Sequence, residues 1–147
     1  LEGLWFNVGI ENDGSSSPTI NNSVISGDNY GIDNTGSSSP TINNSVISGD
    51  NVGIDNSGSS SPTINNSVIS GGSSTNSFGI YNGTGTGTIR VSNSQISGKT
   101  NTIQNFAGVT ILVGDSQLNG GPVTGDGTLT CIGAYNASYL ALNSTCQ

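Results

Sequence analysis

Glu11, Asp33 and Asp55 stand 22 residues apart in a chain of 147 residues, and regular carboxylates are the first candidates for chemistry. Stacked on one face, such acids repel one another. Two remedies are open: splaying into solvent, or capture of a hard cation such as Ca2+ among oxygen ligands. As catalysts they are poorly arranged. Glycoside hydrolysis needs two carboxyls facing across a cleft about 5–9 Å wide, whereas these acids share one column. The chain has no His, which removes triads, His-metal centres and imidazole acid–base catalysis. Arg90 and Lys99 are the only cations, and the net charge is −7. That charge excludes a basic nucleic-acid footprint and attraction to anionic lipid. No apolar run approaches the roughly 20 residues needed to span a bilayer. The composition therefore predicts no enzyme, no cofactor other than the Ca2+ alternative, no nucleic-acid partner and no membrane insertion.

What would position these residues is a repeat. The stretch GSSSPTINNSVISG occurs verbatim at 14–27, 36–49 and 58–71, and IRVSNSQISG (89–98) and ILVGDSQLNG (111–120) continue it. Aligned, the units give near-pure columns: Ile10/Ile32/Ile54/Ile80/Ile103, Ile20/Ile42/Ile64/Val91/Val113, Ser23/Ser45/Ser67/Ser94/Ser116, Ile25/Ile47/Ile69/Ile96/Leu118 and Gly27/Gly49/Gly71/Gly98/Gly120. Only 31% of the chain is hydrophobic, but its Ile and Val recur at fixed positions, unlike those of a disordered segment. One such unit cannot bury its apolar residues alone, so the repeat predicts a solenoid. The apolar alternation has strand period, and Gly, Ser and Asn separate the strands. Asn22, Asn44, Asn66 and Asn93, continued by Asp115, fall where the chain must turn. Asn tolerates positive φ and can bond to its copy in the next coil, so a structural ladder is expected there. A second Asn column, Asn12/Asn34/Asn56/Asn82/Asn105, has the same reading.

GIDNTGSSSPTINNSVISGDN (31–51) resembles the repeat of right-handed parallel β-helix proteins, particularly the long, repetitive exported bacterial ones. The resemblance covers residues 9–120. It implies an all-β, right-handed parallel β-helix of about five coils of ~22 residues, in one domain. The ending TCIGAYNASYLALNSTC (130–146) is similar to the disulfide-closed tails of some of these proteins, which implies a cap over 121–147. The fold hosts many activities. Its lyases set a basic residue beside Asp-bound Ca2+, and its hydrolases cluster Asp residues. Neither template is matched: Arg90 shares its column with Thr19, Thr41, Thr63 and Leu112, and Lys99 shares a turn column with Asp28, Asp50, Gly72 and Gly121.

The chain has no Met, even at position 1, so a processed, exported product is expected. In an oxidising compartment Cys131 and Cys146 pair; in a reducing one they stay thiols. Two outer faces are regular enough to bind something. One carries Thr19/Asn21, Thr41/Asn43 and Thr63/Asn65, a Thr-bearing face that resembles those of ice-binding proteins and also suits glycan. The other exposes Val24, Val46 and Val68. At the N-terminus (1–8) Leu4, Trp5 and Phe6 form an apolar patch that departs from the columns. It either caps the first coil or docks on another molecule, joining subunits end to end into a filament. The expectation is a non-enzymatic extracellular structural or cell-surface protein that self-associates, with a glycan- or ice-binding module as alternative and a polysaccharide-active enzyme behind it.

Overall fold

The computed structural model describes residues 6–147. The chain winds through six coils of three short strands each. The first coil holds β1 (Val8–Asn12), β2 (Thr19–Asn21) and β3 (Val24–Gly27), and the second β4 (Tyr30–Asn34), β5 (Thr41–Asn43) and β6 (Val46–Gly49). The third comprises β7 (Val52–Gly58), β8 (Thr63–Asn65) and β9 (Val68–Gly71), and the fourth β10 (Phe78–Gly85), β11 (Thr88–Ser92) and β12 (Gln95–Gly98). The fifth has β13 (Asn101–Asn105), β14 (Thr110–Gly114) and β15 (Gln117–Gly120), and the sixth β16 (Val123–Thr124), β17 (Thr128–Ile132) and β18 (Tyr135–Asn136). Corresponding strands of successive coils pair in parallel, giving three six-stranded sheets that begin with β1, β2 and β3. This is the all-β parallel solenoid that the repeat predicts.

The pairing register reproduces the sequence columns. Ile10 pairs with Ile32, Ile32 with Ile54, and Ile54 with Ile80; the Ile20 and Ile25 columns do the same. Ile32, Ile42, Ile47, Ile54, Ile64 and Ile69 are fully buried, each contributing about 1.5–3 kcal/mol by burial. Gly49 marks a close approach: a Cβ there would lie 2.7 Å from the Gly31 backbone nitrogen.

There is one coil more than the sequence predicts. Val123 continues the first Ile column beside Ile103, and Cys131 continues the second beside Val113. In the third, Asn136 stands opposite Leu118. The sixth coil lacks the Ser and Ile signature, so its residues 121–136 read as cap although the backbone keeps the ladder. The covering segment is shorter, from about residue 137 onward.

Candidate functional site

Each coil turns from the second sheet to the third at the Asn22 column. Asn22, Asn44, Asn66, Asn93 and Asp115 have φ of 49°, 50°, 47°, 48° and 44°, the left-handed region that Asn tolerates best after Gly. The turn is as expected, but the ladder lies elsewhere. These side chains point to solvent, and among the described residues none bonds to its copy; the backbone N–H groups link the coils instead, Asn22 N donating at 3.1 Å to the carbonyl of Asn43, the residue before its copy. The side-chain ladder runs through the buried second column. Asn12 donates to Asn34, Asn34 to Asn56 and Asn56 to Asn82, each at 2.8 Å, and Asn82 donates to Asn105 at 3.0 Å. An αL residue at a convex corner projects outward, whereas Asn12 and its copies face into the coil.

The Ser23 column serves the backbone at this turn. Ser45 Oγ accepts the Ser23 N–H at 3.1 Å and donates to the Asn43 carbonyl at 2.8 Å. Ser67, Ser94 and Ser116 repeat the pattern. Each hydroxyl thus satisfies a backbone donor that the turn would leave orphaned in the core. The Ser that recurs immediately after the turn residue, at 23, 45, 67, 94 and 116, is the sequence signal for this, since a small hydroxyl both accepts and donates there.

On the outer Thr/Asn face, Thr41 pairs with Thr19 and Thr63. Its asparagines are tied to one another: Asn43 donates to Asn21 at 2.8 Å, and Asn65 to Asn43 at 3.0 Å. Part of their amide capacity is therefore internal. The face ends at Arg90 and Leu112, which occupy the same column.

The acidic column is assembled as its spacing suggests. Glu11 stands beside Asp33 and Asp33 beside Asp55 on the outer face of the first sheet, followed by Tyr81 and Gln104. Glu11 is exposed, while Asp33 and Asp55 are half-buried. Burial, then Asp33, pushes the Asp55 carboxyl up to about 7; burial and then Glu11 raise that of Asp33. Tyr30 is raised by burial and by the Asp55 and Asp33 charges. Among the described residues no group of three or more His, Cys, Asp or Glu side chains is gathered to hold a metal ion. What surrounds Asp55 is aromatic. A cavity of about 330 Å³ is lined by Tyr30, Val52, Asp55, Asn76, Phe78 and Tyr81. Phe78 meets Tyr81 edge to face at 5.2 Å, and Tyr81 meets Phe106 at 5.6 Å. The aromatic residues interrupt the repeat, so its periodicity gave no hint of this pocket.

A second concavity, of about 500 Å³, runs along the corner between the second and third sheets. Asn66, Asn93 and Asp115 form one wall; Gln95, Gln117 and Tyr135 contribute to the other. Gln95 donates to Gln117 at 2.9 Å, and Tyr135 stacks on Tyr139 at 5.5 Å.

The two ends differ. At the C-terminal end Cys131 and Cys146 form a disulfide with Cα atoms 5.3 Å apart. Leu142 packs on the core, its N–H donating to the Ala134 carbonyl, and Ser144 accepts the Cys131 N–H. At the N-terminal end, Ile10 and Ile25 are only half-buried, although their copies in the second coil are fully buried. Val24 is 83% exposed, against 43% for Val46. Ser38 and Ser60 donate back to the Asn12 and Asn34 carbonyls of the preceding coil, at 2.8 and 3.1 Å. Ser16, their counterpart, has a buried hydroxyl with no partner among the described residues. Leu4 and Trp5 lie outside the described residues. Phe6 is 61% exposed, and its carbonyl accepts the Asp28 N–H at 2.8 Å.

Fold and sites define a parallel β-solenoid repeat protein, closed at one end by a disulfide-tied tail. The chain matches no family model, no curated protein and no solved structure.

Proposed function

We propose that this is a non-catalytic structural protein of the cell exterior or surface, a short rigid rod that self-associates through its N-terminal coil. The observation that carries this reading is the contrast between the ends. Among the described residues the first coil leaves Ile10 and Ile25 half-buried and the Ser16 hydroxyl unpartnered, and β1, β2 and β3 are the outermost strands of their sheets. That edge is complementary to another coil of the same kind. The far end is sealed by Leu142 and the Cys131–Cys146 bond. Joining through the first coil of each partner, association is between like ends and closes as a two-fold dimer; the head-to-tail filament raised by the sequence would require the far end to join as well. The disulfide suits an oxidising compartment. The absence of His and the confinement of Glu11, Asp33 and Asp55 to one column support a non-catalytic role. Sedimentation velocity tests the proposal: a species of twice 14.7 kDa is expected, converting to monomer when Ile25→Asp places charge on the open edge. A wild-type protein that stays monomeric at high concentration refutes it.

A second reading is favoured by the groove at the corner of the second and third sheets. Its Asn66 and Asn93 amides, which make no side-chain bond among the described residues, and the Tyr135 ring suit a neutral glycan better than the Thr/Asn face does, because the Asn21 column is bonded to itself. Glycan-array binding that is lost in Tyr135→Ala supports this reading; binding unaffected by that change excludes the groove.

A further inference from the structure

The notch around Asp55 has no part in stacking the coils. In the outer column Tyr30–Val52–Phe78, a small residue lies between two aromatic ones. Val52 is almost wholly buried and forms the floor; Tyr30, Phe78 and Tyr81 form walls, and Asn76 a rim. The Asp55 carboxylate opens into this space. The charge that bears on it is negative, from Asp33. The chain's two cations are engaged elsewhere: Arg90 on the second sheet, with Nη1 near the Thr88 carbonyl, and Lys99 with Nζ on the Ser73 carbonyl.

We propose that this notch binds an organic ammonium group, held by the Asp55 carboxylate and the π-systems of Tyr30, Phe78 and Tyr81. Aromatic rings attract a cation through their quadrupoles, most strongly where water is excluded. A half-buried carboxylate supplies the counter-charge and is itself relieved of the repulsion from Asp33. Other ligand classes fit less well. An anion meets Glu11, Asp33 and Asp55. A neutral sugar leaves the carboxylate uncompensated. A hard metal ion needs a set of oxygen ligands, and no cluster of three metal-binding side chains is gathered here among the described residues. The ammonium can belong to a small quaternary amine or to a lysine side chain of another protein.

The experiment is an NMR titration of the intact protein, reading the Val52 methyl and Gly53 amide signals. The ligands are choline, its uncharged isostere 3,3-dimethylbutan-1-ol, and N-acetyl-lysine methylamide. At about pH 8 an ammonium ligand saturates these signals, with the neutral alcohol weaker by about tenfold. Stronger binding of choline assigns the notch to quaternary heads, and stronger binding of the lysine derivative assigns it to protein side chains. Acidification to about pH 5.5 weakens the charged ligands, because Asp55, flanked by Asp33, Glu11, Tyr30 and Tyr81, then carries a proton. Asp55→Asn narrows the preference for charged over neutral ligands to the part the rings supply, and Phe78→Ala weakens both. The absence of saturable shifts up to about 100 mM ammonium, or equal affinity of the neutral isostere for the wild-type protein, overturns the proposal.

Discussion

Replacing Asn56 by Ala tests the buried ladder at its centre. Asn56 accepts from Asn34 and donates to Asn82, both at 2.8 Å, and both neighbours are fully buried. The substitution leaves the Asn34 donor and the Asn82 acceptor without partners where water cannot replace the lost amide. Each orphaned group costs about 1–3 kcal/mol, so the loss is about 4 kcal/mol, a large part of the roughly 5–15 kcal/mol of a domain of this kind. Asn43→Ala is the matched control. It also breaks two side-chain bonds between coils, at 2.8 and 3.0 Å, but on the outer face, where water substitutes. There the expected loss is about 0.5–1 kcal/mol. Guanidinium unfolding followed by circular dichroism measures both, with m-values compared to confirm that the same surface is exposed. If the two variants lose the same stability within about 0.5 kcal/mol, burial does not decide the ladder's contribution and the argument fails.

Three further outcomes follow from the geometry. Because the folded pKa of Asp55, about 7, lies above the ordinary 3.8, the folded chain binds more protons between those values; stability therefore rises as pH falls through that window. The melting temperature is expected to be higher at about pH 5 than at about pH 8, and Asp55→Asn flattens most of that difference. At Asn66, with φ 47°, Gly is expected to be neutral while Val costs about 2 kcal/mol, measured by chemical unfolding. Removing the disulfide with Cys131→Ser and Cys146→Ser opens a link between residues 15 apart, worth about 3 kcal/mol on the chain-entropy model. Hydrogen exchange should speed up across β17 and β18 and leave the second and third coils protected, since a solenoid loses its end before its middle.

The solenoid was legible because identical residues stack upon themselves. Ile32 between Ile10 and Ile54 is a statement about three-dimensional neighbours that the 22-residue period already makes. The two Asn columns were both visible, but period alone does not show which faces inward. Asn44 is placed outward by its αL backbone, and Asn34 is buried by its position in β4. The sixth coil was hidden because backbone pairing persists where side-chain identity has drifted, with Cys131 and Asn136 in columns otherwise aliphatic. The notch at Asp55 was hidden for the opposite reason. It depends on Tyr30, Val52, Phe78 and Tyr81, which differ from their copies, and a reading built on sameness passes over them.

The proposed dimer joins two rods at their first coils and leaves the tail that carries the Cys131–Cys146 bond at each outer tip. Six coils at about 4.8 Å make a single rod about 29 Å long. Negative-stain imaging of protein biotinylated at the C-terminus and decorated with streptavidin reads the polarity directly. Rods of double length with a label at both tips are predicted. Single-length rods labelled at one tip, or labels spaced along a filament, would contradict the account.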